Sequence, residues 1–133
     1  MRSFPRLLLA IAALLEAFGA VVHGMAFRKA VAALAASNLA PFFASSLKTF
    51  WLNDSADAAI LAAIFALFAA RPRLAARPVI LLLALMPASI CALLYVFLGN
   101  FVAVPLMAAI TALVVVAGLF WPSEPAGTTT LQR

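Results

Sequence analysis

Glu16, His23, Asp54 and Asp57 are the residues of this chain whose types and spacing could do chemistry, because all four stand inside long apolar stretches. A charged side chain near the centre of a bilayer costs about 2.5–3.5 kcal/mol on insertion scales and normally faces a bundle interior or a wet cavity. Glu16 and His23 are seven residues apart, so on a helix they share a face, about 10 Å apart along the axis. Asp54 and Asp57 have i, i+3 spacing and lie on nearly one face. If the first two apolar helices begin and end at similar levels, His23 matches Asp54 in depth, and Asp57 falls between them and Glu16. The expected arrangement is a line of ion- or proton-binding groups descending from the outer surface to the midplane. Such a line could carry protons, could bind a cation if three or four ligands converged, or could pair internally and lock the helices together.

Plainer roles compete with this one. Glu16 could bond a neighbouring helix, and His23 could sit wet at an interface. Asn53, Asp54 and Ser55 could form an N-cap cluster at which helix two starts. That reading leaves helix two at about 16 residues, short for a full crossing.

The elements that must position these groups follow from composition. Hydrophobic residues make up 68% of the 133 residues and charged residues 10%, with a mean hydropathy of +1.18. Soluble domains run at roughly 45–50% apolar and about 25% charged. The expected fold is all-α, an integral membrane four-helix transmembrane bundle in one domain over 1–121. A crossing helix needs about 20 mostly apolar residues. The candidates are 7–27, 50–70, 79–98 and 102–121, with Gly99-Asn100 punctuating the last turn. Residues 122–133 read as a flexible polar tail.

Arg28 to Thr49 has helix-forming alanines, then Ser37-Asn38 and Pro41 as breakers. It reads as an extension of helix one or a short interfacial helix, followed by a loop that carries Phe42-Phe43 at headgroup depth. With the N-terminus inside, the inner side holds Arg2, Arg6, Arg71, Arg73, Arg77 and Arg133, and the outer side Arg28, Lys29 and Lys48. This six-to-three bias predicts an N-in, C-in topology, with Trp51 and Tyr95 near the outer interface and Trp121 near the inner one. The first 20 residues also resemble a secretory signal peptide in their basic start and small residues, but the apolar run continues to Phe27. Small residues recur every fourth position at Ala58-Ala62-Ala66-Ala70, Ala84-Ala88-Ala92 and Ala20-Gly24, a spacing that lets helices approach closely in lipid. Pro87 and Pro105 are expected to kink or start helices three and four.

Several functions are set aside. The net charge of +5 is spread over segment ends, so nucleic acid is not an expected partner. Cys91 is alone, which excludes an intrachain disulfide and a thiolate zinc site. No nucleophile elbow or phosphate-cradling glycine loop is present. One histidine cannot supply paired axial haem ligands. No cofactor, metal or enzyme activity is expected. A metal site or enzyme using His23 with the carboxylates is a third, weaker reading.

The stretch Ala12-Ala13-Leu14-Leu15-Glu16-Ala17-Phe18-Gly19 resembles the first helix of small multidrug resistance transporters. The resemblance covers under a tenth of the chain. It implies four helices, proton-coupled export and a membrane glutamate in the role of Glu16. Asp54, Asp57 and the longer first loop depart from that family's pattern. The expected function is a small proton- or cation-coupled transporter or permeation protein in a bilayer, by location a bacterial inner (plasma) membrane. The alternative is a non-catalytic accessory subunit of a larger membrane complex. Its partners are accordingly a second copy of itself or other membrane subunits.

Overall fold

The computed structural model describes residues 3–122, and the expected tail beyond them lies outside the described residues. The described chain is all-helical: α1 (Ser3–Ala35), α2 (Pro41–Ala70), a single 3-10 turn (Pro72–Leu74), α3 (Arg77–Leu83), α4 (Leu85–Leu98) and α5 (Ala103–Leu119). Three segments, Ser3–Ala35, Pro41–Ala70 and Arg77–Leu98, are long and apolar enough to cross a membrane, and α5 is shorter. They associate the protein with a membrane. Large apolar side chains such as Leu14, Val96 and Phe97 stand outward and exposed. In lipid such surface costs nothing, because the surrounding tails are as apolar as the side chains.

Each helix boundary has a local cause. The region expected to be a loop around Phe42-Phe43 is instead the first turn of α2, which starts nine residues before the expected Phe50. Pro41 sits at the start of the helix, where its missing N–H is unpaired anyway and its fixed φ is already helical. The interhelical turn is only five residues, closed by Ser37, whose hydroxyl donates to the Leu34 carbonyl. The third apolar stretch is interrupted at Ala84. Pro87 has no N–H to give the Leu83 carbonyl four residues back, and its ring crowds that carbonyl. The ladder resumes at once, with Ala84 N–H bonding Ile80 and Ala88 N–H bonding Ala84. Pro105 stands in the first turn of α5, as a starting residue does. Gly99, at φ 65°, ends α4 in the left-handed region that favours glycine.

Close packing runs from α2 to α1, from α1 to α5, and from α5 to α3 and α4. The core lies along this path. Leu9, Ala12 and Ala13 of α1 meet Leu61 and Phe65 of α2, and Ile110 and Val114 of α5 complete the cluster. Of the three small-residue stripes, only Ala62 and Ala84 are buried. The tight approach is at Gly118 instead, where an added Cβ would come 2.7 Å from Leu81 Cδ2 and 3.3 Å from Ile80 Cγ2.

Both described ends of the chain lie together. Phe4 and Phe120 meet edge to face with centroids 6.1 Å apart. Arg6 Nε donates to the Ala69 carbonyl at 2.8 Å, satisfying a last-turn acceptor of α2. Trp121 is buried and donates its indole N–H to the Ala75 carbonyl at 3.1 Å, so it is a core residue rather than a lipid-facing belt residue. At the opposite end the helices differ in height. Phe4 pairs with Phe120 and Gly19 lies beside Leu106, so the Gly99–Val102 turn comes level with about residue 23 of α1. Beyond it the α1–α2 hairpin continues alone for about 18 Å.

Candidate functional site

His23 and Asp54 are brought together where that hairpin leaves the rest of the molecule. Their Nε2 and Oδ2 atoms are 3.6 Å apart, an ion-pair rather than a hydrogen-bond distance, and both side chains are partly exposed. Matching depths in an antiparallel pair of helices is what joins them. The other ring nitrogen, Nδ1, is 2.8 Å from Ser55 Oγ. Ser55 in turn donates to the Trp51 carbonyl at 3.2 Å. The imidazole stacks on the Trp51 indole, with centroids 4.4 Å apart and planes at 11°. The indole N–H closes the circuit by donating to the His23 backbone carbonyl at 2.9 Å.

Trp51 and Ser55 are the members that sequence reasoning missed. Trp51, Asp54 and Ser55 are spaced i, i+3, i+4, one face of one helix, and that spacing was available in the sequence. The N-cap reading of Asn53-Asp54-Ser55 falls because these residues stand in the interior of α2, more than three turns from its start.

Asp57 does not join the line. Its Oδ2 accepts from Asn53 Nδ2 at 2.7 Å, four residues earlier on the same helix and on its exposed flank. The i, i+3 step turns it by about 60° from Asp54, enough to take it off the α1-facing side.

Glu16 stands apart from the cluster. It is 2% exposed and is the buried polar residue of the core, on the stripe that carries Leu9, Ala12 and Ala13. Its Oε1 has no hydrogen-bond partner. Native proteins leave few buried polar atoms unpaired, and each costs about 1–3 kcal/mol. On α5, Thr111 donates its hydroxyl to the Met107 carbonyl at 2.8 Å, within its own helix. Among the described residues no three of His, Cys, Asp or Glu come together as metal ligands would. Cys91 Sγ lies 3.5 Å from the Val104 carbonyl, a packing contact between α4 and α5.

Compared with known proteins, the chain matches no protein-family model, no curated protein and no solved structure.

Proposed function

We propose that the chain forms a four-helix membrane-spanning domain, N-in and C-in, that works as a small proton- or cation-coupled transporter or permeation protein, with Glu16 as the coupling carboxylate. One observation carries the reading: Glu16 is sealed in the core of spanning helices with an oxygen left unpaired. A buried carboxylate that costs stability and leaves an oxygen without a hydrogen-bond partner is what a site for a transient ligand requires. A lone carboxylate can hold and release a proton, whereas a hard divalent cation asks for six or more oxygens. The proton is therefore the favoured coupling ion. The even number of crossings is supported by the meeting of Phe4 with Phe120, and Arg71, Arg73 and Arg77 mark the same end as inner. A bacterial inner membrane is the proposed location.

The test is proton flux into liposomes carrying the purified chain and an internal pH dye. Glu16→Gln keeps the shape and cannot cycle a proton. Flux that falls to the protein-free background is the expected result, and undiminished flux overturns the reading.

The accessory-subunit alternative is favoured by a separate observation. Helix α2 packs closely along α1 alone among the long helices, so much of its length is free for a partner helix. Native mass spectrometry of gently extracted protein separates the two. Other chains at fixed stoichiometry support the accessory role, and a lone chain or a small homo-oligomer supports the transporter.

A further inference from the structure

We propose that the open groove between α1 and α2, at the arginine-bearing end of the molecule, holds an anionic phospholipid, with its phosphate on Arg6 and one acyl chain against the alanines of the two helices. The site is independent of the Glu16 reading, because Glu16 does not line it. It requires only that these helices lie in lipid.

The groove follows from which residues meet where α1 and α2 pack. Ala10, Ala13 and Ala17 of α1 line it together with Ala62, Ala66 and Ala69 of α2. A methyl group on each side leaves space that larger side chains would fill. That space amounts to about 1170 Å³ and is open to the outside. Pockets for drug-sized ligands are smaller, at roughly 300–1,000 Å³, and close around what they bind. Ala13 and Ala62 form the buried floor, and Leu7 and Leu14 stand exposed along the α1 wall. From Ser3 to Ala17 the groove is about 21 Å long, at about 1.5 Å per residue. One leaflet of a hydrocarbon core about 30 Å thick is about 15 Å deep. The groove therefore accepts the chain of a lipid from one leaflet along most of its length.

Charge identifies the occupant. Arg6 lines the mouth of the groove. Its Nε donates to the Ala69 carbonyl across the helix pair, which fixes the guanidinium beside the trough. Among the described residues no hydrogen bond or ion pair takes its two amino groups. Their four N–H donors form a fork that suits a pair of phosphate oxygens. Arg71 and Arg73, both exposed, follow directly on Ala70, where the α2 side of the groove ends. The described carboxylates are remote. Glu16 is ten residues along α1 from Arg6, about 15 Å, and Asp57 is twelve residues before Ala69, about 18 Å.

A cationic mouth over an apolar trough is the complement of an anion with an acyl tail, and basic pockets between membrane helices take anionic headgroups. A second copy of the chain, inserted the same way round, would bring its own arginines to the same level, and like charges would meet. Free phosphate would use the mouth and leave the trough empty. The positive-inside bias accounts for arginines at this end. It does not account for one of them being tied to the neighbouring helix at the head of a groove.

The test is native mass spectrometry of the full chain in mild detergent, titrated with dioleoyl phosphatidylglycerol or dioleoyl phosphatidylcholine. The expected result is one phosphatidylglycerol per chain, bound about tenfold more tightly than phosphatidylcholine. Arg6→Gln should weaken phosphatidylglycerol binding about tenfold, and Arg28→Gln, far along α1, should leave it unchanged. Ala66→Phe fills the trough from an exposed position and keeps every arginine, so it should abolish the one-lipid species. Equal affinity for the two lipids overturns the proposal, as does binding that survives both Arg6→Gln and Ala66→Phe. Displacement of the lipid by inorganic phosphate at equal concentration overturns the part played by the trough. A lipid-free dimer that Ala66→Phe dissociates makes a second copy the occupant, and overturns the proposal too.

Discussion

Glu16 and His23 lie on one stripe of α1, two turns apart, and their surroundings differ completely. His23 makes contacts through both ring nitrogens, its ring face and its backbone carbonyl. Glu16, one layer further in, leaves an oxygen with no partner at all. The helix therefore places a polar group with many contacts above one with an open valence. An isolated structural glutamate has no reason to be so arranged.

The stability consequence is directional. Glu16→Leu replaces an unpaired buried carboxyl with an apolar side chain of similar volume, and is expected to stabilise the protein by about 1–3 kcal/mol. Thermal unfolding in detergent should show a higher Tm together with loss of flux. A lower Tm means that Glu16 has a structural partner.

Trp51 is tested by its indole nitrogen. Trp51→Phe keeps an aromatic face for His23 but removes the bond to the His23 carbonyl. A net cost of about 1 kcal/mol is expected. Trp51→Ala loses the stack as well and should cost about 3–5 kcal/mol, read from the same melts.

The two aspartates should separate cleanly. Asp57→Ala breaks one exposed bond within α2, so its effect on stability is expected to stay within about 0.5 kcal/mol. Asp54→Asn removes the charge facing Nε2. It should cost about 0.2–1 kcal/mol, read from the same melts, and Asp57→Asn should cost less.

Gly118 is the close-packed point between α5 and α3. A side chain there meets Leu81 and Ile80 within 3.3 Å. Gly118→Val is expected to cost about 1–3 kcal/mol through overpacking, measured by denaturation in mixed micelles. Gly24 has open space around it, so Gly24→Ala should be tolerated.

Much of this architecture was legible in the sequence, and the failures have identifiable causes. Apolar runs located every helix, because a segment solvated by lipid needs no amphipathic pattern to obscure it. The match of His23 with Asp54 was legible because two antiparallel helices that begin and end at similar levels keep equal depths. The start of α2 was misplaced because Pro41 was read only as a breaker, although proline is as much a helix opener. Asp57 was misplaced because depth counting ignores azimuth, and Asn53 was there to hold its carboxylate on the flank. The alanine stripes carried little information in a chain where alanine fills so many positions. Gly118 showed no such repeat and became the close contact.

In the proposed membrane-spanning arrangement, the unequal heights of the helices also set the protein's posture in a bilayer. A hydrocarbon core about 30 Å thick suits the Arg77–Leu98 segment at about 33 Å and falls well short of α1 at about 50 Å. A uniform film cannot match both halves of the molecule. Leaning buries more of the long pair and strains the short one, and standing upright leaves Phe42, Phe43 and Phe50 in water. Membrane thickness thus becomes a variable that acts on the base of the hairpin, where His23 meets Asp54.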